Sequence, residues 1–83
     1  MKILYFSWIR EKIGTSSEEI PFSRDISNIN DLINLLMQQS ENHKKAFSDK
    51  SSIRVAINKN FSSFNSKINS GDEIAFFPPV TGG

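Results

Sequence analysis

One stretch near the C terminus, Glu73-Ile74-Ala75-Phe76-Phe77, carries the most information about the architecture. The turn-forming residues Ser70-Gly71-Asp72 precede it and Pro78-Pro79 follows it, so the stretch predicts a strand with sharp limits. Successive residues of a strand point to opposite faces, which puts Ile74 and Phe76 on the same face. We therefore expect this last strand to give one face to a core and to direct the residues that follow away from the domain.

An equally apolar run, Ile3-Leu4-Tyr5-Phe6-Ser7-Trp8-Ile9, predicts the first strand. Both of its faces are apolar, which is typical of a central strand. We expect the first and last strands to lie side by side, in parallel, at the centre of a mixed sheet. Arg10 to Gly14 predicts one helical turn with Gly14 as its stop, and Thr15 to Ser23 predicts an edge strand antiparallel to the first.

The clearest helical pattern begins after Asn28, where apolar residues recur at the spacing of one helix face. These residues are Ile29, Leu32, Ile33, Leu36 and Met37. Ser27 or Asn28 is placed to cap this helix, and Asp31 adds negative charge to its first turn. The polar segment Gln38 to Lys50 follows, and within it Ala46-Phe47 predicts the anchor of a short second helix.

Two further strands are expected, at Ile53 to Ile57 and at Phe61 to Phe64, separated by the turn signal Asn58-Lys59-Asn60. One main amphipathic helix on one face of a mixed sheet is a two-layer α+β arrangement. This order of elements, with parallel first and last strands, is the β-grasp or ubiquitin-like pattern. We expect residues 1–77 to form this domain and residues 78–83 to form a flexible tail.

Composition limits the possible functions. The chain has 83 residues, 37% of them apolar, a net charge of +1 and no cysteine, so it can form one folded domain but no disulfide or thiolate site. Positive charge is not concentrated, so nucleic acid is not expected as a partner. The short basic run His43-Lys44-Lys45 is expected on a solvated face, and no metal, phosphate or catalytic motif is present. No apolar run reaches the length of a membrane span, and we expect a cytoplasmic protein.

Three aromatic residues fall on the sheet face that the main helix is expected to leave uncovered: Phe6, Phe61 and Phe77. Contiguous exposed aromatic residues on a small domain usually mark a binding interface. The same residues could instead belong to an irregular core, and the sequence leaves both interpretations open.

The closing residues Pro78-Pro79-Val80-Thr81-Gly82-Gly83 lose every bulky side chain at their end. Pro78-Pro79 favours an extended segment, and the whole tail can span roughly 20 Å at about 3.3 Å per residue. Gly82 and Gly83 have no Cβ, so they can enter a narrow pocket with an unhindered terminal carboxylate. We expect disorder beyond Pro79 in the free chain. A chain end without any function is the alternative, because terminal residues are often disordered.

The chain resembles the small subunits of molybdopterin synthase, which are ubiquitin-like sulfur carriers. The resemblance rests on Arg10-Glu11, Gly14, Ala56-Ile57-Asn58 and, most specifically, the closing run Gly71 to Gly83. It implies that an E1-like enzyme adenylates the Gly83 carboxylate with ATP and magnesium. It also implies that a sulfur donor protein then converts this group to a thiocarboxylate.

The resemblance further implies how the sulfur is used. The tail, with Pro78, Pro79, Val80, Thr81 and Gly82, would enter the large synthase subunit in a two-plus-two heterotetramer and pass sulfur to cyclic pyranopterin monophosphate. The three aromatic residues would contact both the large subunit and the activating enzyme. The chain itself would bind no cofactor and would donate sulfur without catalysing the reaction. A carrier for thiamine synthesis or tRNA thiolation, a protein modifier conjugated through its C terminus, and a plain binding module stay open as alternatives.

Overall fold

The computed structural model describes residues 1–79, and within them it contains a five-stranded mixed sheet and three α-helices. The strands are β1 (Lys2–Tyr5), β2 (Ser17–Glu19), β3 (Arg54–Ile57), β4 (Asn60–Ser62) and β5 (Glu73–Phe77). The helices are α1 (Ser7–Ile13), α2 (Ile29–Met37) and α3 (Glu41–Ala46), and a 3-10 turn spans Lys50–Ser52.

The centre of the sheet is formed by β1 and β5, which are parallel as the sequence predicts. The strand order is β2-β1-β5-β3-β4, and the register of the central pair runs from Lys2 opposite Glu73 to Tyr5 opposite Phe76. The other pairings, β1 with β2, β3 with β5 and β3 with β4, are antiparallel. The predicted α+β class and β-grasp arrangement are therefore confirmed.

The core lies between the helices and one face of the sheet, which we call the inner face. Its sheet residues are at most 2% exposed: Ile3, Tyr5, Val55, Ile74 and Phe76. The predicted stripe of α2 packs against them, with Ile29, Leu32, Ile33 and Leu36 fully buried and Met37 at the edge of the cluster. Phe47, which follows α3, meets Phe76 edge-on with ring centroids 4.9 Å apart, so the predicted Ala46-Phe47 anchor is confirmed.

The start of α2 is fixed by three hydrogen bonds that involve Asp31. The Asp31 N–H donates to the Asn28 side chain at 2.9 Å, which makes Asn28 the cap. The Ser27 N–H and hydroxyl donate to the Asp31 carboxylate at 3.0 and 2.8 Å. These two bonds hold the pKa of Asp31 below its usual value, because they stabilise the charged form.

The first strand is shorter than predicted, and this part of the sequence interpretation was wrong. Phe6 is still extended, but Ser7 takes a φ of 55° and the chain turns into α1 there. Ile9 and Ile13 lie four positions apart and are both buried on one side of α1. The second half of the apolar run is therefore buried by helix packing and not by strand pairing.

The connection from α1 to the edge strand is close to the prediction. Gly14 ends α1 with a φ of 95°, and its N–H donates to the Arg10 carbonyl at 2.8 Å. The predicted single turn is thus the last turn of a longer helix. The predicted edge strand at Thr15 to Ser23 is present only as Ser17–Glu19, which pairs with β1 alone.

Candidate functional site

The opposite side of the sheet, which none of the helices within residues 1–79 covers, carries an apolar surface that we call the aromatic face. Its members are Leu4, Phe6, Ala56, Phe61, Ala75 and Phe77. The register explains why they meet, because Ala75 is opposite both Leu4 and Ala56, and Ala56 is also opposite Phe61. Alternation along four neighbouring strands therefore builds one continuous surface from residues far apart in the sequence.

The three aromatic residues selected from the sequence all lie on this face. The rings of Phe61 and Phe77 are tilted against each other with centroids 5.7 Å apart, although Phe61 is 81% exposed. Phe6 is 46% exposed, and its N–H donates to the Phe76 carbonyl at 3.1 Å. Phe6 and Phe77 each follow the last paired residues of β1 and β5, Tyr5 and Phe76, so Phe6 lies beside Phe77. The irregular-core alternative does not hold for Phe6 and Phe61, because both remain exposed.

The sequence interpretation missed the two alanines, Ala56 and Ala75, that form the floor of the aromatic face. Ala56 and Ala75 leave room between the phenylalanines, and Leu4 extends the apolar surface along β1. Strand alternation contained this signal, because Ala75 and Phe77 lie two residues apart in the predicted last strand and therefore share a face. The contribution of β3 could not be assigned before its register with β5 was known.

Charged side chains border the aromatic face at two ends. Lys2 is opposite Glu73 in the register of β1 and β5. At the other end Arg54 is opposite Phe77, and its guanidinium donates to the carbonyls of Ser51 and Ile53 at 3.2 and 3.0 Å. An apolar centre with a charged border is the usual composition of a protein interface.

The C-terminal end of β5 lies at the same end of the sheet as Phe6 and Arg54. β5 ends at Phe77, and Pro78 and Pro79 follow it, both half-buried. The predicted site residues Val80, Thr81, Gly82 and Gly83 lie outside the described residues, as does the predicted disorder beyond Pro79. Their roles stay predictions.

His43 is not solvated, so that expectation was wrong. The imidazole is buried, and its Nε2 lies 2.6 Å from a Glu18 carboxylate oxygen that also accepts a hydrogen bond from the Tyr5 hydroxyl at 2.7 Å. Its Nδ1 lies 2.7 Å from the Ser40 hydroxyl. Burial, together with the bond to Glu18, raises the pKa of Tyr5 well above its usual value. The cluster ties α3 to β1 and β2 on the helix side of the sheet, away from the aromatic face.

Residues 1–79 contain no group of three or more His, Cys, Asp or Glu side chains arranged to hold a metal ion. None of their helices combines the length and the apolar character needed to cross a membrane. The candidate site in the described part of the chain is the aromatic face, which is continuous with Pro78 and Pro79 at the end of β5.

A β-grasp sheet with an aromatic face and a C-terminal exit is the architecture of ubiquitin-like carrier proteins. The sequence model of the ThiS family matches residues 3–83, and the chain belongs to this family. It is 36% identical to proteins of Escherichia coli and Haemophilus influenzae, over 100% of this chain and 99% of theirs. Both relatives are named molybdopterin synthase sulfur carrier subunit.

Solved structures agree with the fold. Small archaeal modifier protein 1 (SAMP1) of Haloferax volcanii is similar, with a TM-score of 0.78 and 25% identity over 100% of this chain and 98% of that one. A complex of subunits 1 and 2 of the molybdopterin-converting factor of Helicobacter pylori contains a similar chain. There the TM-score is 0.65 and the identity 23%, over 99% of this chain and 96% of that one.

Proposed function

We propose that this chain is the sulfur carrier subunit of a molybdopterin synthase and that its sulfur is carried as a thiocarboxylate on Gly83. The observation that supports this most strongly is the position of the tail exit. β5 is the central strand that continues into Pro78-Pro79, and the exposed aromatic face lies directly beside it. The full-length relatives named as sulfur carrier subunits support the same function.

The chemistry begins with an unreactive group. A carboxylate resists nucleophilic attack, so an E1-like enzyme would use ATP and magnesium to convert the Gly83 carboxylate to an acyl-adenylate, with release of pyrophosphate. Sulfide-level sulfur from a donor protein would then attack the carbonyl carbon and displace AMP, which leaves the thiocarboxylate. Gly82 and Gly83 have no side chain beyond Cα, so both steps meet no steric obstacle from the carrier.

The acceptor would be cyclic pyranopterin monophosphate, held by the large synthase subunit. Two successive transfers would supply the two sulfurs of the molybdopterin dithiolene. The solved complex of subunits 1 and 2 of a molybdopterin-converting factor supports a large-subunit partner. We propose that this partner covers Phe6, Phe61 and Phe77, receives the tail from Pro78 to Gly83, and forms a two-plus-two heterotetramer.

A second function is supported by one specific observation, the similarity to a small archaeal modifier protein. A modifier would use the same activated Gly83 carbonyl, but a lysine amine of a target protein would attack it in place of sulfur. The two functions differ in their products. Conjugation leaves an isopeptide bond and a target of increased mass, whereas transfer regenerates the free carboxylate. Carriers for thiamine synthesis or tRNA thiolation differ only in the acceptor.

Deletion of Gly83 tests the proposed function. The variant keeps every described residue, so we expect an unchanged fold and binding of the large subunit within about threefold, a change of roughly 0.7 kcal/mol. Sulfur transfer to the pterin precursor should be lost in the reconstituted reaction. The matched control is Lys59→Ala, which changes an exposed residue in the turn between β3 and β4. Retained transfer without Gly83 would contradict the proposal.

A further inference from the structure

A groove between α1, α3 and the 3-10 turn is not used by the proposed function. Its volume is about 340 Å³, and its lining includes Trp8, Lys12, Lys45, Ala46 and Asp49. This volume is at the lower end of the range for ligand clefts. The groove therefore has room for a few side chains of another protein but not for a large cofactor.

The groove lies at the end of the sheet where the tail leaves. β1 ends just before α1, and Trp8 is the second residue of that helix. Ser52, which also lines the groove, stands two residues before Arg54, the first residue of β3 and the residue opposite Phe77. Because β1 and β3 are the two neighbours of β5, both walls of the groove begin beside the exit of the tail.

The groove offers hydrogen-bond donors without partners of their own. Trp8 is half-buried against the core, and none of the side-chain hydrogen bonds within residues 1–79 comes from its indole N–H; because no buried side-chain nitrogen or oxygen there lacks a partner, this N–H reaches the surface. Lys12 and Lys45 are exposed, and in the same part of the chain neither ammonium group has a carboxylate within 4.0 Å. A groove lined by a half-buried tryptophan and two lysines favours a partner that combines carboxylates with an apolar contact.

Asp49 contributes the one negative charge among these lining residues, but its carboxylate is already occupied. Ser51 donates to one oxygen through its hydroxyl and its N–H, and the Ser52 hydroxyl donates to the other at 3.0 Å. These bonds, chiefly those from the two hydroxyls, hold the pKa of Asp49 below its usual value. Asp49 therefore stays ionised, and because Lys12 and Lys45 outnumber it, these lining residues carry a net charge of +1.

We propose that this groove binds an acidic segment of the protein that receives the C-terminal tail. The inference rests on the proposed function and extends it, because it adds a second contact on the other side of the tail exit from the aromatic face. An acidic segment in the groove and apolar side chains on the aromatic face would hold the partner on both sides of Pro78. The tail would then enter the partner in one fixed direction.

Trp8 is the only tryptophan in the chain, so it gives a selective probe. We would replace it biosynthetically with 5-fluorotryptophan and record the single ¹⁹F resonance while adding the unlabelled large subunit. We expect the resonance to shift or broaden on binding. An unchanged resonance in a saturated complex would overturn the inference, because a segment in the groove must alter the surroundings of the indole.

Charge reversal tests the chemistry of the occupant. The double variant Lys12→Glu/Lys45→Glu should bind the large subunit at least about tenfold more weakly at low salt, and the difference should shrink at high salt. The matched control is Lys59→Glu/Lys67→Glu, at exposed lysines outside the groove lining, which should bind as the wild type does. Equal affinities of the two double variants for the large subunit would overturn this inference but would leave the proposed function standing. Absence of binding by the wild-type chain would overturn the proposed function as well.

Other occupants give distinct results in the same assay. A shift of the Trp8 resonance on addition of single-stranded DNA, with no shift on addition of the large subunit, would contradict the inference in favour of nucleic acid. A shift that depends only on the concentration of the chain itself would assign the groove to a second copy. Either result would overturn the assignment to an acidic protein segment.

Discussion

Phe61 and Phe77 pack against each other across the aromatic face, with ring centroids 5.7 Å apart and ring planes at 55°. They come from strands that are not neighbours, since β3 lies between β4 and β5. The contact crosses β3 diagonally, because Ala56 lies opposite Phe61 and Arg54 lies opposite Phe77, and the Ala56 side chain is too small to keep the two rings apart. Small residues in the floor thus allow two large rings to form one surface at the base of the tail.

This contact predicts that Phe61 contributes to binding and little to stability. Phe61→Ala should change the free energy of unfolding by no more than about 0.5 kcal/mol, because the side chain is 81% exposed. The same variant should weaken binding of the large subunit at least about tenfold, as expected for a central aromatic contact. Denaturant titration and calorimetry measure the two effects. The matched control is Phe22→Ala, an aromatic residue that is 40% exposed and outside the aromatic face; an equal loss of binding there would contradict the assignment.

The buried cluster around Glu18 predicts a large stability difference between neighbouring glutamates. Glu18 is 21% exposed and accepts hydrogen bonds from Tyr5 and His43, whereas Glu19 is 78% exposed. Glu18→Ala should destabilise the fold by about 1–3 kcal/mol because it leaves two buried groups without a partner. Glu19→Ala should stay within about 0.5 kcal/mol. Urea unfolding monitored by circular dichroism measures the free energy of unfolding of each variant. Similar values for the two variants would show that the cluster contributes nothing to stability.

The hydrogen bonds at the start of α2 predict that the stability of the protein depends on pH. The pKa of Asp31 is lowered in the folded protein, so its contribution to stability is present above its unfolded-state pKa and is lost as pH falls through the folded-state value. Asp31→Asn should therefore destabilise the protein at neutral pH and have much less effect below about pH 3. The matched control is Asp25→Asn, because the Asp25 carboxylate accepts no hydrogen bond within residues 1–79. A destabilisation by Asp31→Asn that is independent of pH would contradict this account.

The positive φ of Gly14 predicts that a side chain at this position lowers stability through backbone strain and not through steric crowding. A Cβ at this position would have no atom within 4 Å, but the φ of Gly14 is +95°. Gly14→Ala should therefore cost about 1–2 kcal/mol through strain alone. Gly14→Asn should cost less, because asparagine tolerates positive φ. Thermal unfolding of the two variants gives the comparison, and equal destabilisation would point to another cause.

Regular patterns in the sequence predicted most of the fold. The bounds of β5 followed from a turn before Glu73 and the prolines after Phe77, and α2 followed from its apolar spacing. The first apolar run was ambiguous, because Ile9 and Ile13 satisfy helical spacing while Ile3 and Tyr5 satisfy strand spacing. Only the turn at Ser7 separates the two halves, and serine is not a typical residue for positive φ.

Long-range contacts account for the parts that could not be predicted. His43 lies in a polar segment, and it is buried because Glu18, 25 residues earlier in the chain, provides a partner. Likewise the floor of the aromatic face depends on the register of β3 with β5. Neither relationship leaves a local pattern, whereas Phe6, Phe61 and Phe77 could be selected because each is a large apolar residue on a predicted outward position.

The central claim is that the Gly83 carboxylate carries sulfur, and the intact mass of the chain tests it most directly. The chain should be produced together with its activating enzyme and a sulfur donor and then measured by mass spectrometry, with the Gly83 deletion variant as control. We predict a species heavier than the unmodified chain by one exchange of oxygen for sulfur, absent from the deletion variant and lost again on incubation with the large subunit and the pterin precursor. A chain that keeps its unmodified mass under these conditions, or that appears only as conjugates with other proteins, would contradict the claim.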